Sequence, residues 1–175
     1  MSRITNQHWH VLIVGPPASG KSYLCRYFNK NGKTAYDTDK VRGLHRYTDK
    51  HGNPKAPTKA EWQLKRAELR WVLDRPKLKE LLGKYNELYV FGLADNLAEL
   101  LDLFDKTYYL NANKNLLRRR LLSKTRDNPF GKSKAQRDWI LSEIDASTKE
   151  AKQAGFKLID ASLSPKRLFS IITSK

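Results

Sequence analysis

Short apolar runs punctuate the chain, and two of them stop at a glycine. Val11-Leu12-Ile13-Val14 ends at Gly15, and Leu88 to Phe91 ends at Gly92. Thr107 to Leu110 and Phe156 to Ile159 are further runs of this kind, and Thr34 to Tyr36 is a shorter one. A continuous apolar run of this length fits a strand covered on both faces, as in a parallel sheet. Between the runs the spacing becomes helical. Ser22 to Asn29 reads as a helix stopped by Asn31-Gly32, and Leu97 to Phe104 as an apolar helix. Leu116 to Lys124 is a basic helix with Leu116, Leu117, Leu121 and Leu122 as its buried stripe. Ala135 to Ala154 reads as one long helix ended by Gly155, and Pro165 to Ile172 as the last. Thr58-Lys59-Ala60-Glu61 is a capping-box pattern. It predicts a helix carrying Trp62, Leu69, Val72 and Leu73, kinked or restarted at Pro76. Residues 40–57, with Gly43, Gly52, Pro54 and Pro57, read as a loop. Strands alternating with helices predict an α/β fold with a parallel sheet and right-handed crossovers.

Length and composition narrow the class. The 175 residues suit one domain, expected to span 1–175, and can bury a core without disulfides or metals. Hydrophobic residues make up 39%, which excludes wholesale disorder, and no run approaches a membrane span. The first ten residues contain no apolar stretch of the secretory kind, and the one cysteine, Cys25, excludes a disulfide framework. The expectation is a cytoplasmic, reduced protein with Cys25 as a small buried hydrophobe. No feature calls for an oligomer, so a monomer is favoured.

The charge changes the picture more. The net charge is +16, and windows 40–80 and 111–140 carry +7 each. An excess of this size implies an anionic partner: nucleic acid, nucleotide phosphates or an acidic surface.

Gly15-Pro16-Pro17-Ala18-Ser19-Gly20-Lys21-Ser22 supplies the phosphate site. It matches G-x-x-x-x-G-K-[ST] between a predicted strand and a predicted helix, the context this motif needs. Its glycines let successive N–H groups turn inward, and with the helix N-terminus they form an anion nest. Lys21 would reach the β- and γ-phosphates, and Ser22 would place its hydroxyl on Mg²⁺.

With this motif on such a pattern, the chain resembles the P-loop kinases of the nucleoside-monophosphate-kinase and shikimate-kinase type, over essentially its whole length. The resemblance implies a three-layer α/β/α fold with a five-stranded parallel sheet and the P-loop after its first strand. It also implies an acceptor region near 40–80 and a mobile basic lid near 118–134 that closes over the phosphates. The activity implied is ATP- and Mg²⁺-dependent phosphoryl transfer to a small-molecule or nucleotide acceptor.

Asp37-Thr38-Asp39 ends the second predicted strand, and residues i and i+2 of a strand share a face. These are the first two acids in the chain, with no other before Asp49. By the resemblance, Asp37 helps hold Mg²⁺ through water, and Asp39 orients or deprotonates the acceptor hydroxyl. Arg42, three residues on, is expected on the same helical face as Asp39, where it would bind an acceptor phosphate or carboxylate. Gly92 lies in the turn that approaches the acceptor in the resembled family. The lid pattern falls on Arg120, Lys124 and Asn128-Pro129-Phe130-Gly131, with Lys124 and Arg126 both open as the catalytic cation.

Several residues carry two readings. Asp95 either holds metal or water beyond the third strand, or belongs to the cap of the following helix, with Asp95 or Asn96 as N-cap. Trp62 and Trp71, nine apart on the predicted helix, read as core or as an acceptor-stacking pair. His8, His10, His45 and His51 do not form a metal site. Two further functions compete with the small-acceptor kinase. One is a 5′-hydroxyl kinase of nucleic-acid ends, which the charge and the Asp39/Arg42 spacing favour. The other is a P-loop ATPase or nucleotide-sensing module without kinase activity, against which the missing acid after the third strand counts.

Overall fold

The computed structural model describes residues 8–58, 68–125, 128 and 130–174. A five-stranded parallel sheet forms its centre, in the order β2-β6-β1-β7-β8. Its strands are β1 (Trp9–Val14), β2 (Ala35–Asp37), β6 (Glu87–Phe91), β7 (Lys106–Asn111) and β8 (Lys157–Asp160). β1 lies in the middle, with Val11 opposite Tyr89 of β6 on one side and Lys106 of β7 on the other. The apolar runs of the sequence are these strands, because both of their faces are covered.

Alternation along β1 divides the core. Val11 and Ile13 point to one side, with Leu24, Cys25 and Phe28 of α1 (Lys21–Lys30). That side also holds Leu117 of α3 (Lys114–Leu121), Ile140 of α4 (Lys134–Ser142) and Leu168 of α6 (Pro165–Thr173). Leu12 and Val14 point to the other side, with Leu78 and Leu82 of α2 (Arg75–Gly83) and Ala151 of α5 (Ile144–Gln153). The result is the three-layer arrangement expected from the sequence.

The segment read as loop and helix differs. Residues 40–57 contain β3 (His45–Thr48) and β4 (Pro54–Lys55). Arg70–Leu73, read as helix, is strand β5. Together they form a small antiparallel sheet, β4-β3-β5, in which Tyr47 faces Trp71 and His45 faces Leu73. The strand wins at 70–73 because Trp71, Val72 and Leu73 are good strand formers and find partners on both edges of β5. β3 pairs along one edge, and the backbone and side chains of Asp95 and Asn96 bond along the other. The capping-box start and Trp62 lie outside the described residues. Pro76 does open a helix, near the N-terminus of α2.

Two smaller differences follow from packing. Leu97–Leu103 is a 3-10 helix rather than an α-helix. The long helix at 135–154 is two helices, α4 and α5, joined at Glu143. The chain changes sides after the break, within α5: Ile140, Leu141 and Ile144 join one core, and Ala151 joins the other. At the junction the Ser142 hydroxyl bonds back to the Trp139 carbonyl at 2.7 Å, competing with the helical ladder.

Candidate active site

The loop Gly15–Ser22 runs from the C-terminal end of β1 into α1. Backbone geometry explains its composition. Gly20 has φ +106 and Ala18 has φ +65, the one non-glycine in the left-handed region among the described residues. Gly15 is fixed by space as well. A β-carbon there would sit 2.9 Å from Ser19 Oγ and 3.0 Å from the Leu110 carbonyl oxygen. No side chain caps α1 and no acid lies in its first turn, so its N–H groups and dipole are left for an anion. The Lys21 ammonium bonds the carbonyls of Gly15 at 2.5 Å and Pro16 at 3.0 Å, across the concave side of the loop. Ser19 Oγ is buried in the loop with no partner among the described residues.

Ser22 and Asp37 line one cavity of about 350 Å³, together with Arg26, Tyr36 and Lys40. Asp37 ends β2, and its carboxylate accepts one long bond, 3.3 Å, from the Asp39 N–H. Asp39 does not continue the strand. It lies in the 3-10 turn Thr38–Lys40, so the shared strand face predicted for the two acids is replaced by a shared turn. The turn still keeps the pair together. Shielding by its neighbours, then the adjacent Asp37 charge, holds the Asp39 carboxyl above the usual carboxylate range. Lys21 and the Trp71 side chain pull it the other way. Asp39 thus lies within the field of the P-loop lysine.

Sequence reasoning missed His45. Its ring stacks flat on Trp71, with centroids 4.6 Å apart and planes at 4°. Its Nε2 is 2.9 Å from Thr38 Oγ1 and 3.5 Å from Asp39 Oδ1. Burial pushes its pKa down to about 4, so the imidazole is neutral at pH 7. The signal was present as alternation, since His45 and Tyr47 share a face of β3, but nothing local marked β3 as a strand.

On the other side of the P-loop lies Arg120, the last arginine of α3. Its guanidinium donates to the carbonyls of Ser19 at 2.7 Å, Ala18 at 3.4 Å and Ala161 at 3.0 Å. Burial and the neighbouring Arg119 hold its pKa below the usual arginine value. Arg118, Arg119, Lys124 and Lys132 are exposed, and Arg126 lies outside the described residues.

Residues 11–141 match the family described as AAA domain. The chain belongs to that family. A search of curated proteins finds no match. Among solved structures, this AAA-domain chain is similar to shikimate kinase from Bacteroides thetaiotaomicron. That similarity has a TM-score of 0.59 and 19% identity, over 95% of this chain and 99% of the other. It is also similar to shikimate kinase from Acinetobacter baumannii in complex with shikimate, with TM-score 0.62 and 14% identity over 95% and 94%. A third is deoxyadenosine kinase from M. mycoides with bound dATP, with TM-score 0.56 and 14% identity over 95% and 100%. The AAA-domain chain therefore has the P-loop fold of the nucleoside-monophosphate-kinase and shikimate-kinase type.

The remaining residues singled out in this AAA domain fall in specific places. Arg42 is not on a helix with Asp39. Val41 is extended, and Arg42 is exposed in the turn after it. Gly92 is required by Thr38, since a β-carbon there would lie 2.0 Å from Thr38 Oγ1. Asn96 stands at the N-cap of the Leu97–Leu103 helix without a side-chain cap bond, and Asp95 is taken up by β5. It accepts the Trp71 N–H at 2.5 Å and donates its own N–H to the Trp71 carbonyl at 2.7 Å. Asn96 does the same for Leu73 with its side chain, 3.0 Å in both directions. Trp71 is on β5 and not on a helix with Trp62. Cys25 is buried in the core, and burial pushes its thiol up to about 12. Among the described residues there is no group of three or more His, Cys, Asp or Glu placed to hold a metal, and no helix long and apolar enough to cross a membrane.

Proposed function

We propose that this protein is an ATP-dependent phosphotransferase that moves the γ-phosphate of ATP to a hydroxyl of a small-molecule or nucleotide acceptor. The observation that carries the reading is the convergence of three functions on one end of the sheet. The P-loop offers an uncapped helix N-terminus, Ser22 and Asp37 share a cavity beside it, and Asp39 stands in the field of Lys21. ATP takes its place at Gly15, Pro16, Pro17, Ala18, Ser19, Gly20, Lys21 and Ser22.

The donor set suits Mg²⁺. A hard cation takes oxygen ligands, and the exposed Ser22 hydroxyl and the sparsely bonded Asp37 carboxylate are such ligands. Bound there, Mg²⁺ would offset negative charge on the phosphates. The chain's own residues do the rest. Lys21 leaves the Gly15 and Pro16 carbonyls for phosphate oxygens. Asp39 orients the acceptor hydroxyl and takes its proton. The acceptor oxygen bonds to the γ-phosphorus as the bond to the bridging oxygen breaks, and ADP leaves. A carboxyl held above its ordinary range is a better base for this step than a free one. Lys124, or Arg126 beyond the described residues, supplies lid charge as it develops on the moving group. Arg42 and Gly92 border the acceptor region, 40–80.

The test is ATP turnover against nucleosides, nucleotides, small hydroxy acids and 5′-hydroxyl oligonucleotides. Transfer to a small acceptor, lost in Asp39→Asn with ATP binding kept, supports the proposal. Asp37→Asn should raise the Mg²⁺ concentration needed for half-maximal rate. Transfer to oligonucleotide ends alone would establish the nucleic-acid alternative. ATP hydrolysis unaffected by every acceptor would establish the ATPase alternative.

A further inference from the structure

The contacts around Asp39 give the small sheet a task that the P-loop fold alone does not require. Asp39 lies in a turn with a half-exposed side chain, a poor place to hold a carboxylate still. The side chain 3.5 Å from its Oδ1 is His45, only 4% exposed and stacked face to face on Trp71. His45 is in turn braced on two sides, and one of its braces is itself held. Thr38, fully buried, meets Nε2 at 2.9 Å. Trp71 covers one ring face. β5, which carries Trp71, is pinned by the paired bonds of Asp95 and Asn96.

The partners decide the tautomer of the neutral ring. With the proton on Nε2, the N–H meets the Thr38 oxygen at 2.9 Å, and Asp39 Oδ1 lies 3.5 Å from the same nitrogen. The bare Nδ1, buried with no partner among the described residues, is then an unused acceptor. With the proton on Nδ1, a buried donor would go unsatisfied and a lone pair would face the carboxylate. The first arrangement is the better one. Gly92 completes it, because any side chain there would displace Thr38 and so the turn.

We propose that His45 is a positioning residue for Asp39, its Nε2–H directing the carboxylate toward the acceptor hydroxyl from a platform formed by Trp71 and Thr38. The proposal rests on the phosphotransferase reading for its catalytic meaning, and on the geometry of the small sheet for its physical content.

The variants that test it are His45→Phe, His45→Gln and Asp39→Asn, singly and with His45→Phe/Asp39→Asn combined. Phenylalanine keeps the stacked ring and lacks the N–H. Glutamine brings an amide N–H near the place of Nε2. His45→Phe should lower kcat by roughly tenfold to a hundredfold with the KM for ATP unchanged, because a misplaced group costs turnover more than binding. His45→Gln should recover a large part of that loss. In the Asp39→Asn background His45→Phe should cost little more. Independently of turnover, urea unfolding of the wild type, His45→Phe, Asp39→Asn and their double variant should show coupling of about threefold or more in the unfolding constant. Equal losses in His45→Phe and His45→Gln would overturn the proposal, as would additive effects in unfolding. If unfolding is coupled and no acceptor is phosphorylated, the positioning of Asp39 stands and the phosphotransferase reading fails.

Discussion

Three side chains set the behaviour expected of the site. Lys21 reaches across the P-loop to two carbonyl oxygens and contributes nothing to either core. Lys21→Met should therefore lower phosphoryl transfer by about 10²–10³-fold, with the urea midpoint nearly unchanged. Arg120 behaves differently because its guanidinium holds the carbonyls of Ala18 and Ser19 rather than facing outward. Arg120→Ala should weaken ATP binding in calorimetry and lower stability by about 1–3 kcal/mol, before any separate effect on turnover. His45 gives a pH dependence whose sign is fixed. Its folded pKa, about 4, is depressed below the ordinary 6.5, so the unfolded chain binds the proton more readily. Its contribution to stability is complete above pH 6.5 and is lost as pH falls toward 4. Urea midpoints of the wild type should fall across that window, and those of His45→Phe should fall less.

At the scale of elements, what the sequence could and could not reveal follows from how each element is stabilised. β1, β6 and β7 announce themselves because a strand covered on both faces must be apolar throughout, and the P-loop because its backbone demands glycine. The small sheet is different. His-Arg-Tyr-Thr and Arg-Trp-Val-Leu are too short to show a period, and their pairing partners lie 22 to 28 residues apart. β5 depends on Asp95 and Asn96, which local reading could assign only to capping or metal binding. Asn96→Ala tests that dependence. It strips partners from the buried N–H and carbonyl of Leu73 and should cost about 2–4 kcal/mol. Gly92→Ala should act through the Thr38 turn, lowering both stability and turnover, while an exposed glycine such as Gly83, with open space around it, should accept alanine freely. His45 stayed hidden for the same reason as β3: a stacked ring and a carboxylate brought together by tertiary pairing leave no spacing in the chain.

Across the whole molecule the strands that lead into the two basic windows, β2 and β7, lie on opposite sides of β1. The windows meet the P-loop from both ends, through Lys40 in the Ser22–Asp37 cavity and through Arg120 on Ser19. Three cations of the first window are paired on the surface. Arg46 pairs with Asp74, Arg70 with Glu99 and Arg75 with Asp102. Among the described residues of the second window, Arg118, Arg119, Lys124 and Lys132 are exposed. A single-stranded oligonucleotide should therefore lose affinity on charge reversal at Arg118 or Arg119 and little on reversal at Arg46, read as the change in salt slope of binding. Uniform losses at all of these positions would instead mark a continuous nucleic-acid track.

The antiparallel sheet closes on itself at its root. The N–H of Asp74 bonds the carbonyl of Leu44 at 2.9 Å, so the chain leaves the central layers and returns to them at nearly the same point. A segment with adjoining ends can be lengthened, shortened or exchanged without asking the P-loop strand or its helix to move. Grafting a different 45–73 segment between Leu44 and Asp74, with His45 and Trp71 kept in it and Asp95 and Asn96 retained to receive its last strand, would make this protein a chassis: the P-loop half stays as it is, and the chemistry presented to the proposed acceptor becomes a replaceable part.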